Sequence, residues 1–298
     1  MEGDELKSYE KAGKVLKKAL EFGEKHARPG IKIVELAEKI EAFIKDEGCF
    51  PAFPANIDVN EIAAHFTPRE DFEGVLGEND LVKLDLGVHS NGFVTDSAVT
   101  VDLSGEHGKL IEAVENAVNA AVALMKPGME TGKIGKAIEG EIKAKGMKPV
   151  QNLCGHGVGQ WIVHTPPSIP NIATTTGGKI EAGKVYAIEP FATTPDGAGL
   201  VGESGECGIF DVSSEVPTRS PYARKVLELA GEYNGLPFSD RWLAGKMTRF
   251  ELNLGLKELA QKRALTLYPP LKERKNALVA QSEVCVIVTE TESRLVWD

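Results

Sequence analysis

Two aspartates, Asp85 and Asp96, stand inside apolar runs of a predicted β-hairpin. Apolar residues alternate along one face of the first strand over 82–88, which leaves Asp85 on the opposite face. The segment 89–92, His-Ser-Asn-Gly, has the composition of a tight turn. A four-residue loop would pair Asp85 directly with Asp96, whereas a two-residue Asn-Gly turn would place Gly87 opposite Asp96. In both registers the two carboxylates share one face, with Cβ atoms roughly 4.5–8 Å apart.

Facing carboxylates on one strand pair repel each other, and burial strengthens the repulsion. One of them must then hold a proton, or a cation must lie between them. A divalent metal ion would turn this repulsion into a binding site. The alternative is a solvated hairpin with two exposed aspartates, although aspartate is depleted in strands.

Three further side chains offer metal-ligand atoms from apolar or glycine-rich surroundings. His156 lies between two glycines, where the missing side chains allow close backbone approach. Glu189 ends the apolar run 185–188, and Glu283 interrupts the apolar run 277–288. Taken singly, each is more often a partly exposed strand residue. A buried carboxylate at such a position requires a partner or a metal ion.

One histidine with four carboxylates is an oxygen-rich set that suits two divalent ions such as Mn, Fe(II), Co or Zn. A structural zinc site would more often use cysteine and histidine. Two metals about 3.5–4 Å apart lower the pKa of a shared water and polarise a carbonyl oxygen. The predicted chemistry is therefore hydrolysis.

The elements that carry these residues include an internal repeat. A shift of 98 residues superposes Pro29-Gly30 on Pro127-Gly128 and Gly48 on Gly146. Near this repeat, His65 and His164 lie in similar segments, so each half would supply one histidine. The alternative is a chance likeness between two amphipathic helices that follow Pro-Gly. The periodicity predicts helices over 5–26, 33–47, 107–126, 131–145, 220–234, 239–246 and 249–263, and β structure over 81–88, 93–101, 184–190 and 277–290.

The composition narrows the class of protein. The 298 residues carry 34 Lys and Arg against 44 Asp and Glu, a formal charge of −10, so the chain lacks the basic footprint of a nucleic-acid binder. No apolar run reaches 18 residues, which argues against a membrane span, and the acidic start does not resemble a secretory signal. The four cysteines form no C-x-x-C pair. We therefore expect a cytoplasmic protein.

The motifs together resemble the methionine aminopeptidases, whose pita-bread fold is shared with prolidases and creatinase. The resemblance covers nearly the whole chain. It is carried by Leu84-Asp85-Leu86-Gly87, Thr95-Asp96-Ser97, Gly155-His156-Gly157-Val158-Gly159, Ile188-Glu189-Pro190 and Gln281-Ser282-Glu283. The resemblance implies an α+β fold, in which an antiparallel sheet is duplicated about a pseudo-twofold axis and covered by outer helices.

A helical block between Glu189 and Glu283 makes the chain similar to the type II members. Tyr268-Pro269-Pro270-Leu271 and Phe53-Pro54 also resemble type II. The expected division is a pita-bread catalytic core over 1–215 and 269–298, with a helical insertion subdomain over 216–268. Because no charged extension precedes the core, the chain resembles archaeal rather than eukaryotic members.

The resemblance implies a set of metal ligands. Asp85 would chelate one ion, His156 and Glu189 would hold the other, and Asp96 and Glu283 would bridge the two. A hydroxide bridging the metals would attack the carbonyl carbon of the first peptide bond, and Glu189 would also transfer the proton.

The resemblance also implies substrate-binding residues and partners. His164 would stabilise the oxyanion, His65 would contact the scissile nitrogen, and Phe53 and Tyr268 would line the methionine pocket. The substrates would be nascent polypeptide N-termini with a small second residue. We expect a monomer that contacts the ribosome transiently and binds neither nucleic acid nor a membrane.

Some residues and alternatives stay open at this stage. Many type II members have His-Thr after the final glutamate, where this chain has Val284-Cys285, and Cys154 has no assigned role. His26, His89 and His107 are predicted to be surface residues, and Cys207 and Cys285 small core residues. One alternative function is an Xaa-Pro dipeptidase on the same scaffold. Another is a non-catalytic pita-bread protein that binds ribosomes or RNA.

Overall fold

The computed structural model of the protein describes residues 1, 3–214 and 216–298. The first half of the chain forms two amphipathic helices and then a set of strands. Helix α1 spans Gly3–His26 and α2 spans Ile33–Asp46. The strands are β1 (Phe50–Pro51), β2 (Asn56–Val59), β3 (Ile62–Ala64), β4 (Leu81–Ser90) and β5 (Phe93–Asp102).

The second half also opens with two helices, α3 over Gly108–Val122 and α4 over Thr131–Ala144. The strands that follow are β6 (Lys148–Pro149), β7 (Cys154–Gly159), β8 (Ile162–Pro170), β9 (Lys184–Ile188), β10 (Phe191–Thr193) and β11 (Val201–Glu203).

The C-terminal third mixes helices and short strands. Its first part contains β12 (Ile209–Val212), α5 (Pro221–Ala230), a 3₁₀ turn (Gly231–Tyr233), β13 (Phe238–Ser239), α6 (Asp240–Leu243), α7 (Arg249–Gln261) and β14 (Leu265–Tyr268). Its last part contains β15 (Leu271–Glu273), β16 (Val279–Gln281), β17 (Val284–Val288) and β18 (Ser293–Leu295).

The predicted internal repeat is confirmed in the structure. Helices α2 and α4 correspond at both ends with the same offset of 98 residues, as do strands β1 and β6. Gly30 and Gly128 precede these helices with φ angles of 86° and 83°, and Gly48 and Gly146 follow them with 74° and 76°. Glycine adopts this left-handed conformation without a steric penalty. The two halves therefore use the same glycine positions to enter and leave equivalent helices.

The two half-sheets meet at β5. Strand β4 hydrogen-bonds to β1, β2 and β5, and the second half forms the order β18-β17-β9-β7-β8. Ala98 of β5 pairs with Glu283, which interrupts the predicted β segment 277–290 between β16 and β17. The Glu283 amide donates to the Ala98 carbonyl at 2.9 Å. Both halves therefore bring polar side chains to one junction.

Close helix packing holds β4 in place behind this junction. A Cβ at Gly23 of α1 would lie 2.9 Å from Cδ1 of Leu84, so glycine lets α1 approach the strand. Every residue of β4 is buried, which is consistent with a strand covered on both faces. Leu84 directly precedes Asp85, so this packing fixes the strand that carries the aspartate.

The segment 216–268 contains both helices and strands. Ser220 caps α5 and Thr248 forms a capping box with Glu251 at the start of α7. The two helices share a core of their own, which includes Val226, Leu229, Leu252, Leu256 and Leu259. The division into a core over 1–215 and 269–298 and an insertion over 216–268 stays a prediction, and residue 215 lies outside the described residues.

The structure differs from the predicted helix over 239–246. Only Asp240–Leu243 is helical, because Ser239 pairs with Ile209 in a strand and Gly245 adopts a φ of 78°. The sheet β13-β12-β14 therefore joins this segment to β12. Within the described residues, no helix has both the length and the apolar composition needed to cross a membrane.

Candidate metal centre

The hairpin adopts the two-residue turn, one of the two registers that the sequence left open. Ser90 pairs with Phe93, and Gly87 pairs with Asp96. Asn91 and Gly92 have φ angles of 52° and 84°, as a two-residue hairpin turn of this handedness requires. Asp85 is thus opposite Ala98 and diagonal to Asp96.

Glycines make room for His156 between two neighbouring strands. His156 of β7 pairs with Ala187 of β9. A Cβ at Gly155 would lie 2.5 Å from the Ala187 carbonyl oxygen, and a Cβ at Gly157 would overlap the Thr165 hydroxyl. The predicted close backbone approach on both sides of His156 is therefore confirmed.

The five predicted ligands converge on one cavity of about 460 Å³, and all of them line it. Ligand atoms of Asp96, His156 and Glu283 lie within 4.8 Å of one another. His156 Nε2 lies 3.3 Å from Glu189 Oε1 and 3.7 Å from Asp96 Oδ2. Asp85 lies outside the compact group of three but lines the same cavity wall.

Gln281 links Asp85 to this group. Its side-chain amide donates to Asp85 Oδ2 at 3.3 Å and to Glu283 Oε2 at 3.2 Å. Gln281 is fully buried, so the amide bridges one carboxylate from each half of the sheet. Gln281 belongs to the motif Gln281-Ser282-Glu283, but the sequence alone predicts no role for it.

Burial perturbs the acidity of the four carboxyl groups. It raises the pKa of Asp85 to about 6 and the pKa of Asp96 well above its usual range, with the Asp85 charge adding to the second shift. Burial also raises the pKa of Glu189 and Glu283 strongly, and the neighbouring carboxylates add to it. Like charges at close range cannot all ionise without a cation.

The donor set fits a divalent metal. Asp85 Oδ1 and Asp96 Oδ1 are buried and have no hydrogen-bond partner among the described residues. Burial, reinforced by His164, lowers the pKa of His156 to about 3, so its imidazole is neutral. Its Nδ1 lies 3.1 Å from the Gly157 carbonyl, which as an acceptor selects the Nδ1–H tautomer and leaves Nε2 free to bind a metal.

The residues predicted to act on the substrate line the same cavity: Phe53, His65, His164 and Tyr268. The His164 ring centroid lies 4.3 Å from that of His156, and the His65 ring meets Tyr268 edge-on at 5.8 Å. Burial lowers the pKa of both His65, to about 4, and His164. Both imidazoles are therefore neutral near pH 7.

The backbone around His65 and Phe53 is specialised. His65 has a φ of 68°, which is uncommon for a non-glycine residue, and the next amide, of Phe66, donates to Asp58 Oδ1 at 2.8 Å. A Cβ at Gly87 would overlap the Phe53 ring. Glycine at this position in β4 therefore leaves space for the Phe53 wall of the cavity.

Several residues of the cavity wall were not predicted from the sequence. Asn56, opposite Asp85 in the sheet, faces the cavity, as do Ile209 of β12 and Pro237 of the insertion. Cys154, which had no assigned role, is exposed and also lines the cavity. Neither Ile209 nor Pro237 belongs to a motif with chemical groups, so no sequence signal distinguishes them.

The prediction that His89 is a surface residue is wrong. Its side chain is 8% exposed and lies between Phe50 and Trp161. The Gly92 amide donates to His89 Nδ1 at 3.2 Å, so His89 stabilises the hairpin turn. His26 and His107 are half-buried. Of the two cysteines predicted to be in the core, Cys285 is buried and Cys207 is half-buried.

Comparison with known proteins assigns the family. The model of metallopeptidase family M24 matches residues 7–214. A methionine aminopeptidase of Archaeoglobus fulgidus is 44% identical over 280 residues, covering 94% of each chain. The chain belongs to the methionine aminopeptidases of family M24. A second methionine aminopeptidase, from Methanothermobacter thermautotrophicus, is 42% identical over 289 residues and 96% of each chain.

Solved structures of methionine aminopeptidases and related folds confirm the expected α+β pita-bread fold. A methionine aminopeptidase from Thermotoga maritima superposes with a TM-score of 0.72 at 22% identity, covering all of this chain and 98% of that one. A thermophilic Arx1 gives a TM-score of 0.89 at 17% identity, covering 99% and 91%. The prolidase from Pyrococcus furiosus gives 0.62 at 19% identity, and this chain covers 64% of it.

Proposed function

We propose that this chain hydrolyses the first peptide bond of nascent proteins and peptides, and so releases N-terminal methionine when the second residue is small. One observation carries the proposal. Three buried carboxyl groups, the half-buried carboxyl group of Glu189 and a neutral histidine converge on a cavity that His65 and His164 also line. The relatives of this family that share about two fifths of the sequence are named methionine aminopeptidases.

We propose that Asp85, Asp96, His156, Glu189 and Glu283 hold two divalent metal ions, with Asp96 and Glu283 shared between them. The ions, when bound, supply an activated water and polarise the scissile carbonyl. The oxygen-rich donor set with one imidazole is compatible with Co, Mn, Fe(II) or Zn. Asp85 Oδ1 and Asp96 Oδ1, which have no hydrogen-bond partner in the part of the chain that the structure describes, support this assignment.

The remaining chemistry belongs to side chains of the cavity. Glu189, whose Oε1 lies 3.3 Å from His156 Nε2, would accept a proton from the attacking water and deliver it to the leaving amine. His164, neutral beside His156, would donate an N–H to the developing oxyanion. His65 would contact the scissile nitrogen, and its buried Nδ1 has no partner among the described residues.

Apolar and aromatic side chains supply the pocket for methionine. Phe53 is 7% exposed and lies over β4, while Tyr268 ends β14 beside both His65 and His164. Ile209 and Pro237 are buried and line the same cavity. An unbranched thioether side chain is flexible enough to fill such a pocket.

Peptide assays test the proposed function. The metal-reconstituted protein should release free methionine from Met-Ala-Ser faster than it cleaves Met-Pro or Ala-Pro. A preference for the proline dipeptides would support a dipeptidase instead. Reconstituted protein with no activity on any of these peptides would favour a non-catalytic protein that binds ribosomes or RNA.

We further propose that the protein acts in the cytoplasm as a monomer and contacts the ribosome transiently while nascent chains emerge. The segment 216–268 carries nine Lys and Arg against five Asp and Glu, although the whole chain has a charge of −10. A locally basic segment supports transient binding to a polyanionic surface. Co-sedimentation with ribosomes should then weaken as the salt concentration rises.

A further inference from the structure

A buried ion pair joins helix α2 to the insertion, outside the metal-binding cavity. Glu41 is 3% exposed and Arg241 is 7% exposed. Arg241 Nη1 donates to Glu41 Oε2 at 2.8 Å, and Nη2 donates to Oε1 at 2.7 Å. The indole N–H of Trp242 also donates to Glu41 Oε2 at 2.8 Å. This is a bidentate pair in which the carboxylate receives an additional donor.

The same two side chains hold both ends of the segment 53–68. At its start, the Ala55 amide donates to Glu41 Oε1 at 3.1 Å. At its end, Arg241 Nε donates to the Pro68 carbonyl at 3.0 Å, and Nη2 reaches the Thr67 hydroxyl at 3.4 Å. The Thr67 hydroxyl donates in turn to the Ala55 carbonyl at 3.0 Å. The network therefore closes the segment into a loop.

This loop carries one wall of the substrate cavity, and the insertion carries another. Phe53 and His65 lie within the segment, each two residues from an anchored position. Pro237, four residues before Arg241, and Tyr268 both lie in the insertion and line the cavity. Neither Glu41 nor Arg241 belongs to the cavity lining, so any effect of these two residues reaches the substrate through the walls that they join.

We propose that Glu41 and Arg241 are positioning residues that set the side-chain selectivity of the pocket by holding the 53–68 segment against the insertion. The inference rests on the proposed function, because it treats the cavity as the methionine pocket. A displacement of about 1 Å in a group that orients the substrate can change rates by about 100-fold. The network is therefore expected to affect selectivity between side chains more than metal binding.

The test uses variants that separate positioning from stability. Removing one charge leaves the other buried and unpaired, which strongly destabilises a protein. The main variant is therefore the neutral pair Glu41→Gln with Arg241→Met, and a second is Thr67→Val, which keeps the ion pair. The matched control is Glu35→Gln with Lys39→Met, an exposed pair on the same helix with an Nζ–Oε1 distance of 2.6 Å.

The readout is the ratio of kcat/KM for Met-Ala-Ser to kcat/KM for Leu-Ala-Ser, which does not depend on the fraction of active protein. We expect the ratio to fall about tenfold in the neutral pair and less in Thr67→Val, because small shifts of orienting groups have large effects. The control should keep the ratio of the wild type. The Mn²⁺ affinity measured by calorimetry should change less than about twofold in every variant, because the ligands are untouched.

Three results would contradict the positioning role alone, and a fourth would contradict it together with the proposed function. A folded neutral pair that retains the wild-type ratio would overturn the positioning role alone, as would an equal fall in the control or a loss of Mn²⁺ affinity that parallels the loss of selectivity. A wild type that binds Mn²⁺ but does not cleave Met-Ala-Ser would instead overturn the proposed function, and this role with it.

Discussion

Replacing Asp85 with asparagine should remove a pH-dependent destabilisation of the metal-free protein. Asp85 is 8% exposed, and burial raises its pKa to about 6, while the amides of Gln281 and Asn56 partly oppose the shift. In the unfolded chain the carboxyl group returns to its ordinary value of 3.8. Between these two pH values the folded protein holds a proton that the unfolded chain has released.

The sign and the size of the effect on the free energy of unfolding follow from the difference between the pKa values of Asp85 in the two states. Below pH 3.8 both states are protonated, and the group contributes nothing to stability. Above about pH 6 its full penalty on the folded state applies, about 3 kcal/mol for the separation between the two pKa values. Part of this penalty is already present at pH 4, so the free energy of unfolding of Asp85→Asn minus that of the wild type should rise by about 2 kcal/mol between pH 4 and pH 7.

The comparison between variant and wild type removes the Asp85 carboxyl group and also the part of the pKa shifts of Asp96, Glu189 and Glu283 that its charge causes, which acts in the same direction. His65 and His156 have lowered pKa values of about 4 and about 3, so they remove stability as the pH falls below 6.5. Their opposite slope is present in both proteins and cancels in the difference. Asp71→Asn, at an exposed aspartate whose side chain is 64% accessible, is the control for the replacement of aspartate by asparagine.

The assay is guanidinium denaturation with a chelator at several pH values, followed by titration with Mn²⁺. A free metal concentration of 100 times the dissociation constant should stabilise the wild type by about 2.7 kcal/mol, and Asp85→Asn by much less. A difference that stays constant from pH 4 to pH 7 would contradict this prediction, because Asp85 would then have an ordinary pKa in the folded state.

Three further predictions concern catalysis, metal binding and the pocket. His65→Ala and His164→Ala should each lower kcat on Met-Ala-Ser by about 100-fold with metal retained, whereas unchanged turnover would refute the assigned roles. Gln281→Leu should weaken Mn²⁺ binding by about tenfold or more in calorimetry, and an unchanged affinity would show that the amide does not orient the two carboxylates. Gly87→Ala should raise KM for methionine peptides by displacing the Phe53 ring, with metal affinity retained, and an unchanged KM would mean that Phe53 does not form the pocket wall.

The proposed metal ligands stand out in the sequence because each acidic residue violates a local apolar pattern. Asp85 and Asp96 break the alternation of the hairpin strands, and Glu189 and Glu283 break runs that would otherwise read as buried strands. The register between Asp85 and Asp96 was not settled, since the segment 89–92 is compatible with two turns. The structure selects the Asn-Gly turn because both residues adopt left-handed φ angles.

The repeat was visible in the helices but less so in the sheet. Helices α2 and α4 keep the offset of 98 residues, whereas the strands that pair with β1 and β6 do not: Pro51 pairs with Val88, and Pro149 pairs with Ala192. The offset between these two partners is six residues larger than between the helices. Longer connections in the second half absorb the difference, so a search at one fixed shift detects the helices and misses the equivalent strands.

Contacts between segments distant in sequence were not predictable. Glu41 and Arg241 are 200 residues apart, and each is unremarkable in its own helix. The burial of His89 depends on Phe50 and Trp161, which come from different strands and turns. Such pairs have no signature at the level of local pattern, since propensity and periodicity report only which face of an element is apolar.

The proposed metal centre can be tested by anomalous diffraction from crystals soaked in Mn²⁺, recorded on both sides of the manganese absorption edge. We expect two manganese peaks in the cavity, bound by Asp85, Asp96, His156, Glu189 and Glu283, with Asp96 and Glu283 contacting both ions. A saturating soak that gives no anomalous peak among these five side chains would contradict it.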